Sequence, residues 1–134
     1  RRQDERGAAA VWTLIITTTA FAALVGVVGG GGELVNDQTN ARRVAEQAAR
    51  AGADALSEAS ARSGQNSVDT GAAIARAKQI LQIAGWSGTV RVRGSQVVVT
   101  ATGNRTPTFL SLLGITSVHI DETGTADAIS SPDG

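Results

Sequence analysis

No charged residue occurs between positions 7 and 32, and this uncharged stretch constrains the chain more than any other feature of its sequence. A helix needs roughly 20 mainly apolar residues to cross about 30 Å of hydrocarbon, and residues 7–28 reach that length. Threonines interrupt the stretch, but a helical threonine can bond its hydroxyl to a carbonyl one turn earlier. The preceding RRQDER carries more Arg than acidic residues, which predicts a cytoplasmic N-terminus with the rest of the chain outside.

Two other interpretations of this stretch are less favourable. A signal peptide has an apolar region of only about 7–15 residues before a small-residue cleavage site, whereas here the longer apolar run leads into further helical pattern. A buried helix of a soluble protein would need the remaining chain to cover it on all sides. The sequence therefore predicts a membrane-spanning helix, whose large apolar side chains are Val11, Trp12, Leu14, Ile15, Ile16, Phe21, Leu24 and Val25.

Four consecutive glycines follow the apolar stretch: Gly29, Gly30, Gly31 and Gly32. Each glycine costs about 1 kcal/mol relative to alanine inside a helix, so this glycine run is expected to loosen or break the helix. It does not match the GxGxxG or GxxxxGK[ST] patterns of phosphate-binding loops. We therefore interpret the glycine run as a flexible joint.

Residues 33–57 have the pattern of an amphipathic helix. Its apolar stripe is mostly Ala and Gly, with Val44 adding bulk, and such small residues allow another helix or a sheet to approach closely. The polar residues 57–66 predict a loop.

A second helix is predicted over residues 68–84, with Ser67 as its N-cap and Gly85 as its C-terminal stop. Trp86 follows directly and is expected to cover the core. The predicted apolar set of this helix is Ala72, Ile74, Ala77, Ile80, Leu81 and Ile83.

The period changes after Trp86. Residues 89–93 alternate, with valines on one face and arginines on the other. Gly94-Ser95 suits a two-residue turn, and residues 96–102 have the pattern of a second strand. We therefore predict a β-hairpin. Residues 106–114 predict a short helical turn, and 116–128 one long or two short strands. The predicted fold is α+β, in three parts: a membrane or filament-core helix with its Gly-rich exit (1–32), an amphipathic helix plus a head with an antiparallel sheet of three to four strands (33–129), and a tail (130–134).

The composition disfavours several classes of function. Without cysteine the chain has no disulfide, thiolate zinc site or cysteine nucleophile. Its single histidine, His119, leaves no histidine metal cage and disfavours a catalytic triad. The 12 basic and 12 acidic residues give no net charge, whereas nucleic-acid binders normally carry a basic face. We therefore predict a protein that is not an enzyme, without cofactor, metal or nucleic-acid partner.

Other polar residues of the head fit ordinary surface positions. His119 lies between two apolar residues of a predicted strand, so its side chain is expected to point to solvent. The Asn-x-Thr glycosylation pattern at 104–106 is short enough to arise by chance. The remaining candidates, for a calcium site or a basic strip, show no supporting spacing and are expected to be solvated: Asp121, Glu122, Asp127, Arg91, Arg93 and Arg105.

Three segments carry a resemblance to a known family: ERGAAAVW at 5–12, the Gly-rich and Ala-rich run at 29–57, and PTFLSLLGITSVHIDETGTADA at 107–128. Through them the chain resembles bacterial type IV-type pilins, and more narrowly the TadE/TadG-like pilins of the tight-adherence (Tad, or Flp) pilus branch. Members of that family begin the membrane helix with Arg-Gly and two small residues. They continue with an Ala-rich helix after a Gly-rich exit and end with a hydrophobic turn and a strand.

The resemblance implies its most specific role for Glu5. Type IV prepilins are cleaved after a glycine and carry Glu at the fifth position of the mature chain, which is Glu5 if Arg1 is the mature start. In the family this glutamate is thought to pair with the N-terminal amine of a neighbouring subunit, here that of Arg1. A charge inside an apolar bundle is costly unless an opposite charge pairs with it. The alternative is that Glu5 belongs to a solvated RRQDER flank, because the best-known pilins start with Phe or Met followed by apolar residues.

The resemblance further implies a structural subunit that is inserted in the cytoplasmic membrane and then polymerised into an extracellular pilus for surface attachment. Its implied partners are copies of itself, a prepilin peptidase, inner-membrane platform proteins and an assembly ATPase. An alternative with the same sequence features is a monomeric membrane-anchored accessory or minor pilin-like protein whose head binds an envelope partner. A membrane-tethered hydrolase is disfavoured, because the sequence assembles no nucleophile, base and orienting group.

Overall fold

The computed structural model describes residues 2–63 and 70–129, with side chains described for 5–62 and 70–129. The predicted Ser67 cap, the end of the predicted loop and the tail lie outside these residues. The elements in chain order are α1 (Arg2–Ser63), α2 (Thr70–Ile83), β1 (Ser87–Arg93), β2 (Gln96–Arg105), α3 (Thr108–Leu112) and β3 (Val118–Asp127). The strands form one antiparallel sheet in the order β1-β2-β3, which confirms the predicted α+β fold.

Helix α1 runs without interruption through the glycine run, so the predicted helix break there is wrong. Glycine reaches helical backbone angles without strain, and its penalty of about 1 kcal/mol per residue is a matter of entropy. The head also braces the helix at this level. Gly30 is buried beneath Phe109, and the Glu33 carboxylate accepts a hydrogen bond from the Thr108 amide at 3.1 Å.

The predicted loop after residue 57 is also wrong in its first half, because α1 continues to Ser63. The serine hydroxyls that suggested a loop bond back into the helix: Ser57 Oγ to the Ala53 carbonyl at 3.1 Å and Ser60 Oγ to the Leu56 carbonyl at 3.0 Å. Arg62 and Glu58 add an i,i+4 ion pair at 3.1 Å. Local side-chain bonds that compete with a helix elsewhere are here compatible with it.

The small residues of α1 allow close packing, as predicted. An added Cβ at Gly124 of β3 would overlap the α1 backbone at Ala45 and Glu46. An added Cβ at Gly52 of α1 would lie 3.0 Å from Val97 Cγ1 and 3.3 Å from the Ala73 carbonyl oxygen. The same stripe of α1 therefore packs against both the sheet and α2.

Helix α2 packs on α1 through a stripe that agrees with the prediction at Ala77 and Leu81 and differs from it at Ala73. Ala73, Ala77 and Leu81 are buried at steps of four, whereas the predicted core residues Ala72 and Ile83 are exposed. The stop at Gly85 is confirmed: its φ is 75°, and the next amide, that of Trp86, bonds to the Leu81 carbonyl at 2.9 Å. Trp86 is 4 % exposed, as expected of a residue that covers the core.

The hairpin is confirmed, with the turn at Gly94-Ser95 and Val90 paired to Val99. Its inner face carries the larger side chains of the sheet core, whereas Arg91 and Arg93 are exposed on the other face. The predicted last strand is one continuous β3, paired along the whole of β2. The fully buried large side chains of the core are Leu56, Leu81, Ile120, Val97 and Val99.

Candidate functional site: the exposed apolar half of helix α1

The first half of α1 is apolar and uncovered. Every residue from 5 to 25 is exposed, so no face of the helix is buried against the head. This part of α1 is long and apolar enough to cross a membrane. The large apolar side chains predicted for it are between 51 % and 68 % exposed: Val11, Trp12, Leu14, Ile15, Ile16, Phe21, Leu24 and Val25. We call residues 7–25 the apolar segment.

Two of the four threonines in the apolar segment bond back to the helix. Thr13 Oγ1 donates to the Ala9 carbonyl at 2.9 Å, and Thr19 Oγ1 donates to the Ile15 carbonyl at 2.8 Å. The backbone amides and carbonyls are bonded along the helix. Since a polar group in hydrocarbon is costly only when it lacks a partner, these threonines do not prevent the segment from leaving water.

The head begins to cover α1 where the apolar segment ends. An added Cβ at Gly26 would overlap the Phe109 ring, and one at Gly30 would lie 3.0 Å from Phe109 Cβ. The bond from the Thr108 amide to Glu33 follows one turn later. This contact was not predicted from the sequence. The signal for it was the spacing of four between Gly26 and Gly30, which leaves a groove on one helix face.

The residues predicted for subunit pairing and for the flexible joint lie at the two ends of the apolar segment. Glu5 is exposed in the first turns of α1, and Arg1 lies outside the described residues, so their predicted pairing stays a prediction. Within the glycine run, Gly30 is buried, whereas added Cβ atoms at Gly29, Gly31 and Gly32 would meet open space.

The polar residues of the head form ordinary surface contacts. His119 is exposed, as predicted, and its ring nitrogens lie 2.8 Å from Asn104 Oδ1 and 3.1 Å from Asp121 Oδ1. Arg105 lies over the Trp86 ring at 4.2 Å and therefore does not extend the exposed Arg91 and Arg93 into a basic strip. Across residues 5–62 and 70–129, no three His, Cys, Asp or Glu side chains are placed to hold a metal ion.

The structure thus separates the molecule into a head with a closed core and an apolar helix segment that no part of the described head covers. This apolar segment defines the candidate functional site. Comparison of this chain with family models, with curated proteins and with solved structures finds no match to any of the three.

Proposed function

We propose that this chain is a structural subunit of a pilin-like filament. Its apolar segment anchors the subunit in the cytoplasmic membrane before assembly and forms the core of the polymer afterwards. The observation that carries the proposal is the exposure of residues 5–25 on all faces of an uninterrupted helix. An apolar surface of this length is stable only out of water, in a bilayer or among other helices.

A filament follows from the way in which such subunits would associate. Identical heads added around a bundle of apolar segments make a heterologous contact that does not close, and such contacts generate fibres rather than rings. In this proposal Glu5 pairs with the N-terminal amine of a neighbouring copy, which offsets the cost of placing a carboxylate in the bundle. A prepilin peptidase, membrane platform proteins and an assembly ATPase would process and extrude the subunit, and the finished pilus would attach the cell to surfaces.

The proposal is tested by shearing intact cells and examining the released material by negative-stain microscopy. We expect thin filaments that contain this chain. Replacing Glu5 by Gln should leave the protein in the membrane fraction and strongly reduce its amount in the sheared fraction. Glu58→Gln is the matched control, because Glu58 is exposed on α1 and forms an ion pair with the exposed Arg62.

One result would count against the filament and another against the role of Glu5. If the wild-type chain stays entirely in the membrane pellet as single copies, the apolar segment is only an anchor. If filaments form equally well with Glu5→Gln, the charge pairing is not part of assembly. The first result would favour a monomeric membrane-anchored accessory protein whose head binds an envelope partner.

A further inference from the structure

The connection between β2 and β3 exposes a second apolar surface, on the head itself. This β2–β3 loop (residues 106–117) has no charged residue. Its ends are tied together where Thr106 Oγ1 donates to the Thr116 carbonyl at 2.7 Å. Between them the side chains of Leu112, Leu113 and Ile115 are 80 %, 64 % and 44 % exposed.

The loop is held against α1 and extends along it towards the apolar segment. Its contacts with α1 begin at Glu33, which binds the Thr108 amide. They continue at Gly30, next to Phe109 Cβ, and end at Gly26, next to the Phe109 ring. The loop therefore lies beside the first turns of α1 after the apolar segment.

The length of the apolar segment sets the depth of the loop in a membrane. Hydrocarbon about 30 Å thick covers about 20 helical residues at roughly 1.5 Å per residue. A span that begins after Arg6, the last charge before the uncharged stretch, ends close to Gly26. The loop on Gly26 then lies at the boundary between the acyl chains and the headgroups of the outer leaflet.

The chemistry of the loop suits that boundary. Ser111 Oγ donates to the Thr108 carbonyl at 2.7 Å, and the amides of Leu113 and Ile115 both bond to the Leu110 carbonyl, at 3.1 and 3.0 Å. These groups would therefore keep their partners if the loop were buried. Exposed leucines gain by leaving water, and no charge opposes the transfer.

We propose that the β2–β3 loop is a second lipid-binding element, whose Leu112, Leu113 and Ile115 enter the outer leaflet beside the exit of α1. The inference rests on the membrane-anchored stage of the proposed function and does not require a filament. In this arrangement α1 and the loop together hold the head against the bilayer.

The absence of cysteine in the chain allows single probes to be placed by substitution. Nitroxides are attached to the full chain after Leu112→Cys, Leu113→Cys, Ile15→Cys or Ser95→Cys. The chain is reconstituted in vesicles of phosphatidylcholine and phosphatidylglycerol. Collision with oxygen reports lipid, and collision with a water-soluble nickel chelate reports solvent. Ser95 is the matched head control, because it is exposed and lies far from the proposed bilayer surface. Its near neighbour in the chain, Val97, packs at Gly52, which is about 39 Å from Gly26 along α1 at roughly 1.5 Å per residue.

We expect the nickel accessibility at positions 112 and 113 to be several-fold lower than at 95, with higher oxygen accessibility, as at 15. If positions 112 and 113 are as accessible to nickel as 95 while 15 reports lipid, the loop inference is overturned and the membrane anchor stands. If position 15 also reports water, the anchor and the loop inference both fail. Spin–spin broadening at 112 that disappears on dilution with unlabelled chain would assign the loop to a second copy and overturn the lipid assignment.

Discussion

The indole of Trp86 joins α1 to the sheet at the point where α2 ends. Its Nε1–H donates to Asn40 Oδ1 at 3.1 Å, and the guanidinium of Arg105 lies 4.2 Å from the ring centroid. The ring is almost fully buried, so the nitrogen has no alternative partner in water. A buried donor without an acceptor costs about 1–3 kcal/mol, which makes Asn40 a structural residue although its own surface is exposed.

We therefore predict that Asn40→Ala lowers the free energy of unfolding by about 1–3 kcal/mol, because the indole N–H loses its acceptor. The measurement is chemical unfolding of the full chain in detergent micelles, followed by near-ultraviolet circular dichroism. Asn36→Ala is the control: Asn36 is exposed one turn earlier on α1, and alanine should be neutral or stabilising there by less than about 0.7 kcal/mol. Equal stabilities of the two variants would contradict the assigned role of the hydrogen bond.

At the scale of elements, the structure divides the glycine run into one residue in contact with the head and three in open space. Gly30 gives Phe109 room to pack, whereas Gly29, Gly31 and Gly32 have open space around them and no packing reason to be glycine. Their effect on the helix is then entropic: they lower the cost of bending or local melting at the exit of the apolar segment. For this reason the uninterrupted helix in the structure is compatible with the flexible joint that we propose for assembly.

Replacing Gly29, Gly31 and Gly32 together by Ala should stabilise α1, by about 1 kcal/mol for each residue. If assembly requires the helix to bend here, the amount of sheared filament should fall while membrane insertion is unchanged. Gly7→Ala, also in open space on α1, controls for helix propensity alone. An unchanged filament yield in the triple variant, with the expected gain in helix stability, would rule out the flexible joint.

The contact between α3 and α1 gives a separate prediction. Gly26→Leu should displace the Phe109 ring from α1, and the amides of Leu113 and Ile115 should exchange with solvent several-fold faster. Gly29→Leu places the same side chain in open space three residues away and should leave these amides protected. The measurement is amide hydrogen exchange of the full chain in micelles. The same protection in both variants would show that Phe109 does not hold the loop.

Elements with a clear period were predictable from sequence, and those that depend on distant contacts were not. The hairpin follows from alternation around Gly94, and the second half of α1 follows from its stripe of small residues. The continuity of α1 at Gly30 involves Phe109 and the bond from Thr108 to Glu33, across 75 positions of the chain. In α2 the structure buries Ala73 instead of the predicted Ala72. The cause is local, because two adjacent alanines do not indicate which of them faces the core.

At the scale of the whole molecule, α1 is a rod of 62 residues, roughly 90 Å long at about 1.5 Å per residue. Its second half is an integral part of the head, while the apolar segment extends beyond the head. The sequence predicted this division, because the uncharged apolar stretch and the amphipathic stretch meet at the glycine run. The surroundings of the apolar segment depend on other molecules. Neither the sequence pattern nor the packing within one chain therefore determines what covers the segment.

The most direct test of the filament proposal asks what surrounds the apolar segment outside the cell. Cells expressing the Ile15→Cys variant are sheared, and the released material is treated with a membrane-permeable bifunctional thiol reagent and separated by size under denaturing conditions. Ser95→Cys, in the exposed β-turn, is the control for contacts between heads. The proposal predicts cross-linked chains in the sheared fraction for Ile15→Cys, because the apolar segments of neighbouring copies pack together there. Un-cross-linked monomers, found only in the membrane pellet, would contradict it.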